Sequence, residues 1–220
     1  MTLFVVPIVE GATEIACIKR LLSRIWTELL AVDELHPLAV LIPIPTDRSS
    51  LVKPGDPELE DRIRGAKIRL KDNMWQPDVD AGMILVLIDA DEDCPAKLGP
   101  DLLRRARAVR SDADIACVMP KRELENWFKA AAASLAGVQG LPADLKAVAD
   151  PEVGSGDNWL TRQMQKTDGR RTYSKPADAL EFVERMDLVQ ARINSPSFDK
   201  LCRELERRCP ADGDVPTGVP

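Results

Sequence analysis

The sequence predicts an α/β protein: a mostly parallel sheet of about four strands flanked by helices, with a C-terminal helical extension. Three observations carry that reading. Between residues 3 and 133 short apolar runs alternate with amphipathic segments, which is how a helix-covered parallel sheet reads. One of those runs, MILVLI at residues 83–88, has no polar residue at all, as a strand buried on both faces requires. Beyond residue 173 the alternation gives way to two helical patterns.

The first strand is LFVVPIV at residues 3–9, followed by the turn Glu10-Gly11-Ala12 and a helix over residues 13–30. Its apolar stripe is Ile15, Ile18, Leu22, Ile25 and Leu29, at steps of three and four. A second strand spans residues 38–44, and Pro43 and Pro45 place it at a sheet edge or end it there. A polar loop over residues 46–57 precedes a helix at 58–71. That helix sets Leu59, Ile63, Ala66 and Leu70 on one side and Arg62, Arg64, Lys67, Arg69 and Lys71 around the other. The MILVLI strand runs into the acidic turn DADED; a helix at 99–110, a strand at 115–119 and a helix at 122–136 complete the alternation.

Residues 137–173 are richer in Gly, Asp and loop signals, so a boundary is expected there. The expected organisation is an α/β domain at 1–136, a loop-rich and helical extension at 137–209 packed on it, and a flexible tail at 210–220. Helices are expected at 176–191 and 196–209, each opened by a Ser near a first-turn Pro. The apolar stripes Leu180, Val183, Met186, Leu188, Val189 and Phe198, Leu201, Cys202, Leu205 bury too little to stand alone.

Composition narrows the chemistry. Five cysteines without C-x-x-C spacing argue against both a disulfide framework and a zinc site. A single histidine, His36, removes most His-dependent catalysis and leaves carboxylates as the favoured groups. The apolar run at 3–9 is too short for a membrane span and has no Lys or Arg before it, so a cytoplasmic protein without a membrane partner is expected. The net charge of −6 counts against nucleic-acid binding only if it is evenly spread.

It is not evenly spread. Glu10 and Glu14 follow the first strand, and Asp89, Asp91 and Asp93 follow the third. Carboxyl ends of parallel strands line the ligand crevice of an open sheet. If DADED stays extended, its period of two aims all three aspartates one way, and an oxygen-only set of that kind suits Mg2+, with Mn2+ as a substitute. The competing explanation is that these acids merely cap and turn.

VEGATE at residues 9–14 and IDADED at 88–93 resemble the two motifs of the Toprim domain, shared by topoisomerases, primases and overcoming-lysogenization-defect (OLD) nucleases. The Glu-Gly-x-Thr-Glu form is nearest the OLD branch, and RELENWF at 122–128 resembles an Arg-x-x-Glu-Asn-aromatic stretch there. With Tyr173-Ser-Lys-Pro and Ser195-Pro-Ser-Phe, the whole chain resembles an uncharacterised Toprim-like family encoded beside AAA-type ATPases. The resemblance implies a Toprim/Rossmann-like sheet and Mg2+-dependent cleavage of DNA or RNA. It makes Glu10 both a metal ligand and the general acid or base, with Asp89 and Asp91 holding Mg2+. Glu14, Asp93 and Glu125 would complete a second metal position. Helical phase alone does not separate Glu123 from Glu125; the resemblance favours Glu125. Positional resemblance also nominates Lys121 and Lys175 to assist at the scissile phosphate.

The basic residues Arg62, Lys67, Arg69, Arg170, Arg171 and Lys175 are the candidate nucleic-acid contacts, although a charged helix face is often only a solvated one. Trp26, Trp127 and Phe128 read as core, while Trp75 and Trp159 lie among loop residues where stacking on a base competes with burial. No G-x-x-x-x-G-K-[ST] motif is present, so ATP hydrolysis would have to come from a separate ATPase partner, expected also to supply contacts to long nucleic acid. A non-catalytic adaptor for nucleic acid or protein is the alternative. An aspartyl-phosphate phosphotransferase is weaker, because its D-x-D belongs after the first strand, which here ends in VEG.

Overall fold

The seven apolar residues Leu3–Val9 form β1, and all seven are buried. This computed structural model describes residues 1–74 and 80–210. After β1 come α1 (Ala12–Arg24), which runs on through a π-helical turn at Ile25–Leu29, β2 (Leu38–Val40), β3 (Ile44–Pro45), α2 (Arg48–Val52) and α3 (Glu58–Asn73). The chain continues through β4 (Ala81–Leu87), α4 (Pro95–Val109), β5 (Asp114–Val118), α5 (Glu125–Ala130), α6 (Gly156–Thr167), α7 (Lys175–Arg185), α8 (Leu188–Asn194) and α9 (Pro196–Glu206).

The five strands form one parallel sheet in the order β2-β1-β4-β5, with β3 also pairing β1. The fold is therefore α/β, as the pattern predicts, with the all-apolar MILVLI run in a central strand. The expected strand at 38–44 is split: β2 pairs with residues 3–5 of β1 and β3 with residues 8–9. The gap lies opposite Pro7, which has no amide to donate, and contains Pro43.

Alternation sorts the strand side chains onto two cores. Leu3, Val5 and Val9 of β1 and Met83, Leu85 and Leu87 of β4 face α1 and the helices after β5. Phe4, Val6, Ile8, Ile84 and Val86 face α3 and α4. The C-terminal helices complete the first core. Phe182, Phe198 and Leu201 are fully buried, and Phe198 meets Trp127 edge to face at 5.2 Å. Burying each such side chain contributes about 1.5–3 kcal/mol. Trp26, Trp127 and Phe128 are core residues, as their spacing implies.

Several elements differ from expectation. Ile15 is half-exposed, because Cys17 and Ile18 instead carry the buried stripe of α1. The expected loop at 46–57 contains α2, capped by the Asp47 side chain on the Ser50 amide. The helix expected at 122–136 contracts to α5 and a 3-10 turn at Ala132–Leu135, because residues 122 and 124 are used to bond the acidic turn: Arg122 O accepts from Asp91 N, and Leu124 N donates to Asp89 Oδ1. Residues 137–173 hold a helix, α6, that weak periodicity concealed. The helix expected at 176–191 breaks where Asp187 caps α8, leaving Leu180 and Val189 exposed. Both expected Ser-Pro openings occur, with Ser174 and Ser195 at the N-caps. Trp75 and the expected tail beyond Pro210 lie outside the described residues. No helix among the described residues is long and apolar enough to cross a membrane.

Candidate active site

Parallel register brings the two acidic segments to one edge of the sheet. Val9 pairs with Leu87, so Glu10 and Asp89 follow the adjacent ends of β1 and β4, one and two residues beyond that pair. Gly11 opens α1, and its amide donates to Glu14 Oε2 at 3.0 Å. A β-carbon at Gly11 would stand 2.8 Å from that oxygen, so the Glu-Gly-x-Thr-Glu spacing lets Glu14 fold back over its own helix start. Thr13, one residue earlier, donates to Glu125 Oε1 at 3.0 Å, and Tyr173 Oη donates to the same oxygen at 3.3 Å.

Glu125 is 1% exposed, whereas Glu123 turns away to accept from Ser155 Oγ and Asp157 N at the start of α6. The structure thus separates two acids that helical phase left equivalent. Gly156 makes the arrangement possible, since a β-carbon there would lie 2.5 Å from the backbone carbon of Glu125. Asn126 locks the same junction by donating to Pro151 O and Gly154 O at 2.7 and 2.9 Å.

Glu10, Glu14, Asp89 and Glu125 all titrate above the ordinary carboxylate range. Burial is the main cause at each; Asp91 adds to it at Glu10, and Glu14, Glu125 and Glu10 add to it at Asp89, which is raised most. Lys175 is one cation of the group, 3.9 Å from Glu125 Oε1 and 3.6 Å from Asp157 Oδ2, and Arg48 is a second that acts on Glu10. Burial pulls its pKa down, but Glu125, Asp157 and Glu123 outweigh that and raise it. Burial, then Glu125, pushes the Tyr173 hydroxyl up, so it stays a protonated donor.

The acidic turn does not remain extended. Asp91 has a left-handed backbone, φ 49°, and the run bends there. Asp91 and Asp93 are more than half exposed and lie against Arg48, itself only 13% exposed. Arg48 also donates to Asp89 O at 2.7 Å and Ala90 O at 3.0 Å. The expectation that Asp89, Asp91 and Asp93 point one way is therefore corrected: Asp89 joins the inner carboxylates and Asp93 does not. Among the described residues, no three acidic, imidazole or thiol groups are placed to hold one metal ion. Glu10 Oε2 is buried with no hydrogen-bond partner.

Most of the expected basic contacts lie elsewhere. Arg62 pairs with Glu58 at 2.8 Å, Lys67 with Asp112 at 3.6 Å, and Arg69 donates to Ile42 O. Asp112 precedes β5, so Lys67 sits at the opposite edge of the sheet from Glu10. Arg171 is held by Asp178 at 2.9 Å, and Arg170 is exposed on the loop before α7. Lys121 donates to Asp93 O and lines a cavity between α4 and α9, apart from the carboxylates. Sequence reasoning passed over Arg48, Thr13 and Asp157. Thr13 lies inside the VEGATE motif, whereas Arg48 sits in a stretch whose only sequence signal is a turn.

A family model described as a domain of unknown function, DUF4276, matches residues 9–206. The chain belongs to the DUF4276 family. The DUF4276 stretch opens at Val9, immediately before Glu10, and closes at the end of α9, so it contains every carboxylate of the inner group as well as Lys175 and Arg48. No curated protein and no solved structure matches the chain.

Proposed function

We propose that this protein is a Mg2+-dependent nuclease that hydrolyses phosphodiester bonds in DNA or RNA, with a Toprim-type centre. The observation that carries the reading is the convergence of Glu10, Glu14, Asp89 and Glu125 at the carboxyl edge of the sheet, beside a lysine and with an unpartnered buried oxygen on Glu10. Four carboxylates outnumber the lysine beside them, so a further cation would favour their ionisation, and oxygen-only ligands favour Mg2+, with Mn2+ able to replace it. Glu10 and Asp89 would hold the ion, with Glu14 and Glu125 beside them. When bound, the ion would polarise a phosphoryl oxygen and lower the pKa of water.

The chain's own groups have separable tasks. Glu10, whose buried Oε2 has no hydrogen-bond partner, is the group assigned to exchange a proton with water or the leaving oxygen. Lys175 offers an ammonium to the phosphate. Thr13 and Tyr173 fix the Glu125 carboxylate by donating to one of its oxygens. Arg48 holds the acidic turn by its backbone carbonyls. Because Lys67 and Arg69 are engaged elsewhere, a partner chain, such as an AAA-type ATPase, would supply contacts to long nucleic acid.

The adaptor reading has one observation in its favour: Arg48 already neutralises Asp91 and Asp93, as a docking surface without metal would need. The test is cleavage of single- and double-stranded oligonucleotides by the full chain with Mg2+ or Mn2+, with Glu10→Gln as control. Cleavage that needs metal and is lost in the variant supports the nuclease. Metal-independent cleavage, or none in the presence of candidate ATPase partners, overturns it.

A further inference from the structure

A cavity of about 460 Å³ opens beside the acidic turn, between α4, β5 and α9. Its walls are apolar and stiff: Pro95, Pro100 and Leu103 of α4 face Met119 at the end of β5. Its lining includes two ammonium groups, Lys121 and Lys200. Lys121 gives one hydrogen bond to Asp93 O, and Lys200 pairs with Glu204, so each retains donors for a ligand. The carboxylate at this end, Glu152, is occupied through Oε1 by Ser195 Oγ and Ser197 N.

We infer that this cavity is a nucleotide subsite, taking the base of a nucleotide between the proline rings and Met119 and its phosphate at Lys121 and Lys200. The volume falls in the range of small-ligand sites, which pair apolar walls with a few placed polar groups. Proline rings give flat apolar surfaces with little side-chain entropy to lose, and a thioether contacts an aromatic edge well. Lys121, bonded only to a backbone carbonyl, is the lining cation without a carboxylate partner, and it favours an anion over a neutral apolar guest. The subsite is also joined to the carboxylates by a short segment: Met119 and Lys121 line the cavity, while Leu124 N holds Asp89 and Glu125 enters the inner group. The choice of a nucleotide as occupant rests on the phosphodiester-hydrolase reading; the cavity and its charges stand without it.

Cys94 lines the cavity and is exposed, whereas Cys17, Cys117 and Cys202 are buried, so its alkylation reports occupancy. The experiment measures iodoacetamide labelling of the Cys94 peptide in the full chain by mass spectrometry, without added metal. The probes are the nucleoside 5′-monophosphates, inorganic phosphate and decanoate. At a nucleotide concentration roughly ten times Kd, labelling should slow about tenfold, since only the free fraction reacts. Inorganic phosphate should protect far less. Protection should weaken in Lys121→Met and vanish in Ala96→Trp, which fills the mouth from an exposed position; unchanged thermal melts confirm that both variants are folded. No protection by any nucleotide, protection by decanoate alone, or full protection persisting in Ala96→Trp would overturn the inference. Metal-dependent cleavage without Cys94 protection removes the subsite alone. Protection without cleavage upholds the subsite and removes the nuclease reading.

Discussion

Asp89 and Asp93 stand four residues apart in one acidic run, yet their surroundings are opposite. Asp89 is packed among other carboxylates, and its proton affinity is raised well above the ordinary value. Asp93 is half-exposed and answered by Arg48. The left-handed residue between them, Asp91, divides an inner group under strain from an outer group at rest. The number of acids in a motif therefore says less than which of them lack a counter-charge. An uncompensated group is where a cation gains most by binding.

The sharpest break of this comparison is a pair of substitutions. Asp89→Asn should lower metal-dependent cleavage by about 10³-fold or more, whereas Asp93→Asn should lower it less than about tenfold, both read as kcat/KM on one oligonucleotide. Equal losses would abolish the inner and outer distinction. Asn at 89 can still accept the Leu124 amide, so its thermal midpoint without metal should match or exceed the wild type's.

Next in size is Arg48→Met. It removes charge-assisted bonds to Asp89 O and Ala90 O, so metal affinity should fall about 10–100-fold, as for groups that orient ligands. Isothermal titration with Mn2+ measures this, and an unchanged affinity would mean that the turn holds its own shape.

A smaller effect concerns pH. Burial raises the folded pKa of Glu125, so its contribution to stability is fully present below the unfolded value near 4.5 and is lost as pH rises through the folded pKa. Relative to Glu125→Gln, the metal-free wild type should therefore lose ground from about pH 4 upward, at about 1.4 kcal/mol per pH unit until the folded carboxyl has ionised. Chemical denaturation of both proteins across that range checks the sign; a gap that widens in the wild type's favour at high pH would contradict it. The smallest effect is expected from Lys67→Ala and Arg69→Ala, which should change oligonucleotide binding less than about twofold, because both cations are already engaged within the protein.

Strands with period-two burial were readable because apolar side chains must alternate between two cores, and β1 and β4 do so residue by residue. The Glu10 and Asp89 positions were readable because each follows the end of an apolar strand, and Glu14 because it lies one turn into the helix that Gly11 opens. Residues 122–124 misled because their helical spacing is real, but their backbone groups are taken by the acidic turn. α6 was obscured by the Gly, Asp and Ser that cap it and let it approach α5. Arg48 was invisible because its partners, two backbone carbonyls and two carboxylates, lie more than 40 residues away and leave no trace in local pattern.

The Thr13 to Glu125 hydrogen bond spans 112 residues, and Tyr173 joins the same oxygen from 48 residues further on. Such separations place the centre among the last features to form, since loop closure must precede the contacts that reward it. On a ribosome, a nascent chain that has released only its first strands and helices carries Glu10 and Asp89 but neither Glu125 nor the lysine beside it. On the proposed reading, cleavage would be withheld until the segment carrying Lys175 has emerged and docked.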